Sequence, residues 1–441
     1  MTEGSIPWHL LAYAVPAILG DLFQVTYNTV DSVIVGKFAG ADALAAVGVA
    51  SPLMSIAMFF IIGIGIGSSV LMSEFYGAED ARCLRREFST TLIMATGMSA
   101  AIAVGLFFSA APLLQLVNTP EAIMVDTTCY LRIVAAGMVV TGLYNILAAA
   151  SRSIGDTRTP LVCLVVGSLF PDALDVWVVA GLRRGVDGAA WATVISQACA
   201  AALCGWLLRR NEPVFFSDRR DFCLDRRLLG RTLRFSYASA MQQAGIYVGR
   251  LLVQSQVNPL GVHTAAAFAA VNRIDDYAVI PERDIANGET VLVAQNHGAG
   301  KSDRMLQGLR AAMVIETVYG AVISLCVFAL AGPLMRLFVD AGETEVIRLG
   351  TRYLRLMGLF YILPGITNGL QGYMRAIGRI RLTMYVTYAQ MFTRALVTWL
   401  LIGRMALDAV PLACVAGWVL MLVWELGLIA HWKRRGMLLT A

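Results

Sequence analysis

Residues 130–155 read YLRIVAAGMVVTGLYNILAAASRSIG, and residues 353–378 read YLRLMGLFYILPGITNGLQGYMRAIG. Both stretches open on Tyr-Leu-Arg and close on Ile-Gly, and an offset of 223 residues separates them. A further dipeptide, Gly77-Ala78, recurs as Gly298-Ala299 at an offset of 221. A nearly constant offset over separated motifs indicates that the chain contains two copies of one unit.

The composition of both copies is that of a membrane protein. Hydrophobic residues make up 58% of the chain and charged residues only 15%, and the mean hydropathy is +0.67. A span of the hydrocarbon core needs about 20 apolar residues. Such runs are predicted at 10–36, 43–74, 88–114, 121–150, 159–182, 187–208, 230–257, 264–297, 304–331, 346–374, 380–403 and 408–431. The first run has no basic region with a cleavage site, so we interpret it as a retained helix.

Each copy therefore has six predicted helices. Because six is even, both copies start and end on the same side of the membrane, and the repeat must be parallel. We predict an all-α membrane protein of twelve transmembrane helices in two six-helix lobes related by a parallel pseudo-two-fold repeat. The N-terminal lobe is placed at 1–208, a linker at 209–229 and the C-terminal lobe at 230–441.

Lysine and arginine set the predicted orientation. They concentrate in the loops after even-numbered helices and in the C-terminal tail, for example at Arg152, Arg209, Arg210 and Arg434, and basic loops face the cytoplasm. Both termini are thus expected in the cytoplasm. This bias explains the net charge of +5, so nucleic acid is not an expected partner. None of the eight cysteines forms a CxxC pair, and we expect no cofactor.

Two carboxylates lie inside the fifth apolar run, where Asp172 and Asp175 follow Pro171. A charged side chain at bilayer depth costs about 2.5–3.5 kcal/mol, so it normally faces a cavity or a partner. The pair could bind a proton or a metal cation, or it could cap a helix or pair with an arginine. The equivalent stretch of the second copy, 394–398, has no acidic residue. The acidic pair therefore belongs to the first lobe alone.

Longer motifs carry a resemblance to a known family. The blocks YNTVDSVIVGKFAGADALAAVGVASP at 27–52 and GVDGAAWATVISQ at 185–197 resemble the multidrug and toxic compound extrusion (MATE) family of cation-coupled antiporters. The resemblance implies a coupling-ion site with Asp31 on the first helix, Asp175 on the fifth and Thr193 on the sixth. It also implies a small-molecule substrate and a multi-pass protein of a bacterial inner membrane, which we expect to be a monomer.

One position departs from the family pattern. The family has an asparagine where this chain has Pro171, which offers no side-chain oxygen and frees a backbone carbonyl one turn earlier. Asp172 lies about 100° further around the helix, and we expect it to tune the site. The coupling ion could be H⁺ or Na⁺. If it is Na⁺, Asp31 and Asp175 would be its ligands. Pro16 in the first helix is interpreted as a hinge or as a static kink.

The second lobe has charges of both signs in its predicted helices. The eighth helix carries four of them after Pro281, and the seventh and eleventh helices each contribute one further candidate arginine. The set is Arg250, Glu282, Arg283, Asp284, Glu289 and Arg394. We predict that these residues contact the solute. The alternative is a structural network that neutralises itself, because buried charges are normally paired.

The function favoured by these patterns is secondary active export of a small organic solute in exchange for H⁺ or Na⁺. A flippase of lipids or lipid-linked precursors is the alternative. An intramembrane enzyme is a more remote alternative, since the sequence contains no GxGD, GxSG or HExxH motif. We therefore predict a transporter and no enzyme.

Overall fold

A computed structural model of the protein describes residues 1–34, 41–117, 119–175 and 185–435. Within these ranges the side chains of residues 28, 30–34, 41–44, 168–175, 185, 186, 189 and 219 are not described. The described chain is built from α-helices: α1 Ile6–Ile34, α2 Ala41–Gly77, α3 Ala81–Leu116, α4 Glu121–Ser153, α5 Arg158–Asp175, α6 Gly185–Asn211, α7 Arg226–Val257, α8 Val262–Gly298, α9 Ser302–Phe338, α10 Thr344–Gly358, α11 Ile362–Ala376, α12 Ile380–Met405 and α13 Ala409–Arg434.

The all-α architecture predicted from hydropathy is confirmed. Eleven of the twelve predicted spans correspond to one helix each, and the tenth corresponds to the two short helices α10 and α11. On length and composition alone, seven segments within the described ranges are apolar enough to cross a membrane. Other helices carry more charge, as α8 does around Glu282, and the repeat rather than hydropathy identifies them as spans.

The break in the tenth span distinguishes the two copies. Helix α10 ends at Gly358, α11 starts at Ile362, and Pro364 follows within its first turn. A proline has no N–H to donate, and its ring clashes with the carbonyl four residues earlier, so a helix does not continue through it undisturbed. The equivalent residue of the first copy is Thr141, and α4 is continuous there. The tenth predicted span, 346–374, is therefore made of two helices, α10 and α11, rather than one continuous helix.

The described chain forms two compact units. The N unit comprises Val15–Ala240, and the C unit comprises Met1–Ala14 together with Met241–Ala441. Both boundaries fall inside helices, one in α1 next to Pro16 and one in α7. The first helix of each repeat is thus divided between the units. The domain boundaries at 208 and 230 that the repeat suggests stay predictions.

Glycines of α2 allow close helix contact in the N unit. A Cβ atom at Gly63 would lie 2.6 Å from the Cα of Ala240, and one at Gly67 would lie 2.5 Å from the backbone nitrogen of Ser236. No larger residue fits between these backbones, because real Cβ atoms do not approach so closely. The stretch GIGIGSS at 63–69 therefore provides a helix-packing surface, as is usual for small residues in membrane helices.

The segment that follows α6 is held against the start of α3, also in the N unit. Arg85 and Arg86 bind the carboxylate of Asp221, with N–O distances of 2.8 and 3.1 Å. The hydrogen bond from Arg85, followed by that from Arg86, holds the pKa of Asp221 below its usual range. Phe88 packs on Phe215 with ring centroids 5.1 Å apart. The linker is thus attached by both charge and aromatic contact.

The first residues of the chain belong to the C unit because they bind the start of α9. Arg304 donates hydrogen bonds to the carbonyl of Gly4 at 3.2 Å, and Lys301 donates to the carbonyl of Thr2 at 3.1 Å. Tyr13 packs on α8 at Gly288, where a Cβ atom would lie 2.9 Å from the tyrosine ring. These contacts place the first two turns of α1 on α8 and α9.

Replacing Gly67 by leucine should destabilise the N unit, since the side chain would have to displace the backbone of α7. Overpacking typically costs about 1–3 kcal/mol, so we expect a clear fall in the melting temperature of the purified protein. The matched control is Gly97→Leu, where a Cβ atom meets nothing within 4 Å. Equal melting temperatures for the two variants would contradict the close contact between α2 and α7.

Candidate functional site

The predicted coupling-ion site lies partly outside the described residues. The backbone places Asp31 in the last turn of α1 and Asp175 at the end of α5, but the side chains of Asp31, Pro171, Asp172 and Asp175 are among those not described. Thr193 is described, and it lies half-buried in α6. The roles of these residues stay predictions.

The helices that carry these residues are neighbours within the N unit. Ser196 of α6 donates a hydrogen bond of 2.7 Å to the carbonyl of Gly167 in α5, and a Cβ atom at Gly167 would lie 2.7 Å from that of Ala200. Since Thr193 precedes Ser196 by three residues, the two occupy adjoining positions on α6. A Cβ atom at Gly20 of α1 would lie 3.7 Å from Leu161 of α5. Helices α1 and α6 therefore both approach α5.

Pro16 lies within a helix that continues through it, because α1 runs from Ile6 to Ile34. The boundary between the C unit and the N unit falls at residues 14 and 15, next to this proline. A proline removes one hydrogen bond of the helix and weakens it locally. The interpretation of Pro16 as a hinge, and of Pro171 as a second one, stays a prediction.

In the C unit, two of the predicted solute contacts lie in a common cluster. Arg250 of α7 pairs with Asp276 of α8 at 3.0 Å, and both side chains are about half exposed. The neighbouring Asp275 accepts a hydrogen bond from the hydroxyl of Tyr361 and interacts electrostatically with Arg394 of α12. We call these five residues the arginine–aspartate cluster. It joins three helices to the break between α10 and α11.

The remaining predicted contacts of α8 differ in exposure. Arg283 is exposed, whereas Asp284 is buried and accepts a hydrogen bond of 3.5 Å from Asn287. Glu282 and Glu289 are both 0% exposed. A solute could reach the last two only after the unit rearranges. The assignment of these residues to the solute stays a prediction.

A third buried glutamate lies beside them. Glu316 of α9 is also 0% exposed, and it interacts electrostatically with both Glu282 and Glu289. None of the six carboxylate oxygens of the three residues has a hydrogen-bond partner. We call Glu282, Glu289 and Glu316 the glutamate triad.

The interior of the C unit also contains a satisfied polar network. The amide of Gln242 in α7 donates to Gln371 of α11 and to Thr387 of α12, both at 2.9 Å. Thr383 donates in turn to the oxygen of Gln242 at 3.4 Å. All four side chains are buried. The network connects three helices by hydrogen bonds between buried side chains.

Sequence reasoning missed Asp275, Asp276, Tyr361 and Glu316. A signal for Glu316 was available, because it is the one acidic residue in the predicted span at 304–331, and an ionisable residue within a span is by default a candidate functional residue. The two aspartates come two and three residues after Arg273 in the sequence, and such a run of charges is typical of a solvent-exposed segment. Their pairing with Arg250 and Arg394 depends on the packing of three helices and could not be inferred from one of them.

No metal site is evident in the described part of the chain. Its histidines, cysteines, aspartates and glutamates form no group of three that could hold one ion. Asp31 and Asp175, the predicted sodium ligands, lie outside that search. The prediction of sodium or proton coupling is therefore untested.

The repeat, the twelve spans and the two units agree with one known family. The model of the MatE family matches residues 16–177 and 238–400, one stretch in each repeat. The chain belongs to the MATE family of transporters. It is accordingly an integral membrane protein that moves small molecules, and it is not an enzyme.

Relatives of this family resemble the chain over most of its length. A probable multidrug resistance protein of Bacillus subtilis, YoeA, is 30% identical over 83% of this chain and 81% of its own. A second from the same organism, YpnP, is 26% identical over 86% of this chain and 84% of its own. A solved structure of a MATE protein in the bent conformation has a TM-score of 0.91 at 20% identity, and covers 98% of this chain and 97% of that one. This last likeness concerns the fold.

Replacing Gln242 by leucine should destabilise the C unit, because Gln371 and Thr387 would lose a buried hydrogen-bond partner. An unsatisfied buried polar group costs about 1–3 kcal/mol, which should lower the melting temperature in detergent. The matched control on the same helix is Gln254→Leu, whose amide donates to Asn258 in an exposed position. A melting temperature of Gln242→Leu that is no lower than that of this control would show that the network does not stabilise the C unit.

Proposed function

We propose that the protein exports small organic solutes in exchange for H⁺ or Na⁺ by alternating access. The match of the family model to both repeats carries this proposal. The names of the two Bacillus subtilis relatives, both probable multidrug resistance proteins, support organic solutes as the cargo. Two units whose boundaries fall inside α1 and α7 suit a cycle in which these helices bend.

The coupling ion is assigned to the N unit. Asp31, Asp175 and Thr193 would bind it, and Asp172 would adjust its affinity. The approach of α1 and α6 to α5 supports this assignment. Protons suit the site better than sodium, since hard cations need several oxygen ligands and Pro171 supplies none from its side chain. A single proton, by contrast, relieves the repulsion between two neighbouring carboxylates.

The solute is assigned to the charged residues of the C unit. Arg250 and Arg394 face Asp275 and Asp276, so the arginine–aspartate cluster offers both signs of charge. Exposed ion pairs are weak, at about 0–1 kcal/mol. In the half-exposed pair of Arg250 and Asp276, either side chain can therefore leave the other and bind a charged group of a solute instead. Arg283, which is exposed on α8, adds a further cationic group. Zwitterions and anions as well as organic cations are therefore suitable solutes.

Asp175→Asn should abolish coupled transport and leave the protein folded. The amide cannot release a proton or balance a cation, so ethidium uptake into proteoliposomes under an imposed gradient should fall at least tenfold. The matched control is Asp126→Asn, an exposed aspartate of α4. Wild-type transport by Asp175→Asn would refute the ion-site assignment.

Arg250→Gln should change which solutes are accepted more than it changes ion coupling. Loss of the guanidinium leaves Asp276 without its cation, so uptake of an anion such as fluorescein should fall several-fold while uptake of the cation ethidium is kept or rises. Arg348→Gln is the control, because Arg348 pairs with Glu345 at 2.7 Å on an exposed face of α10. Equal loss for both dyes, together with a lower melting temperature, would show that Arg250 is structural.

A further inference from the structure

The glutamate triad is the largest group of unpaired acidic side chains among the described residues. Glu282 and Glu289 are seven residues apart on α8, hence on one face of the helix, and Glu316 reaches them from α9. All three are 0% exposed, and none of their carboxylate oxygens accepts a hydrogen bond. Buried charges normally have partners, so this arrangement requires an explanation.

Three glycines of α11 form the wall that these carboxylates face. A Cβ atom at Gly365 would lie 3.4 Å from Oε2 of Glu316 and 3.7 Å from Cδ of Glu282. One at Gly369 would lie 3.6 Å from Oε2 of Glu289, and one at Gly372 would lie 3.1 Å from the same atom. The three glutamates are therefore gathered along one face of α11, and the glycines leave room for their carboxyl groups.

The charged and titratable groups around the triad are few. Arg375, in the last turn of α11, interacts electrostatically with Glu289, and its Nε has no hydrogen-bond partner. Tyrosines contribute the other facing groups: Tyr319 from α9, Tyr361 from the turn before α11, Tyr373 from α11, and Tyr13 of α1 next to Arg375. One arginine cannot neutralise three carboxylates. At most one of them can be balanced by a charge of the protein.

The ligand that fits this site is the proton. A metal ion would need several ligands around one point, and the described residues contain no group of three acidic, histidine or cysteine side chains placed to hold one. Away from water, a carboxyl group without a partner is more stable in its neutral form. Because Glu316 interacts electrostatically with both Glu282 and Glu289, a proton bound to one of these groups changes the proton affinity of the others.

We propose that the C unit contains a proton-binding site of its own, formed by Glu282, Glu289 and Glu316 against the glycine face of α11, and that its protons are released and rebound during transport. Release from Glu289 leaves a carboxylate that Arg375 can balance. This inference rests on the proposed ion-coupled transport, and it adds a second site to the one assigned to Asp31 and Asp175. It gives Glu282 and Glu289 a role other than direct contact with the solute.

Infrared spectroscopy of the full chain in lipid nanodiscs tests the site without any transport. In D₂O the carbonyl band of protonated carboxyl groups is separate from that of carboxylates. At neutral pH we expect E282Q, E289Q and E316Q each to remove part of this band, and the triple variant to remove about three times the single loss if each carboxyl group holds a proton of its own. E345Q, which removes the exposed and paired Glu345, should leave the band unchanged.

Ethidium uptake into proteoliposomes, measured as a function of pH, tests the exchange. We expect each single variant to flatten the pH dependence of uptake that the wild type and E345Q show. An unchanged infrared band in the three single variants would overturn the proton site. A reduced band with a wild-type pH profile would overturn the exchange, since the protons would then be static. If the wild type fails to transport under any gradient while the band is lost in the variants, the proposed function fails and the proton site stands.

Discussion

The constraint on which this structure depends is that hydrocarbon offers no hydrogen bonds to a polar group. Every backbone amide must then be satisfied within its own helix, and every polar side chain must find a partner inside its unit. Gln242 illustrates the satisfied case, with bonds to Gln371 and Thr387. Glu87 of α3, fully buried, accepts hydrogen bonds from Thr91 and Thr232. The glutamate triad is the largest group of exceptions in the described part of the chain, and exceptions under this constraint indicate function.

The same constraint explains the prominence of glycine. Without a difference in polarity between lipid and helix surface, helices associate through close packing rather than through the hydrophobic effect. In the N unit Gly63 and Gly67 bring the backbones of α2 and α7 together. In the C unit Gly365 and Gly372 serve a different purpose, because the neighbours they admit are carboxyl groups as well as backbone. Glycine thus allows close helix packing in the N unit and makes room for carboxyl groups in the C unit.

Much of the fold could be predicted from the sequence, because the repeat and the apolar runs are local patterns. The sequence also contains a sign of the break at Gly358, because Pro364 occupies the position of Thr141 in the first copy. Hydropathy alone does not reveal such a break. The site was less accessible. Glu282 and Glu289 were recognised by their charge, whereas the triad requires Glu316 and three glycines from two other helices. Contacts between distant segments, such as Arg250 with Asp276, are set by packing and leave no trace in one sequence.

Proton-driven movement of solute is the behaviour that follows most directly from buried carboxyl groups. The measurement is ethidium accumulation in proteoliposomes that hold the wild-type protein, under an imposed pH gradient and with sodium absent on both sides. We expect accumulation that collapses when a protonophore is added. Accumulation that requires a sodium gradient and ignores the pH gradient would contradict this expectation.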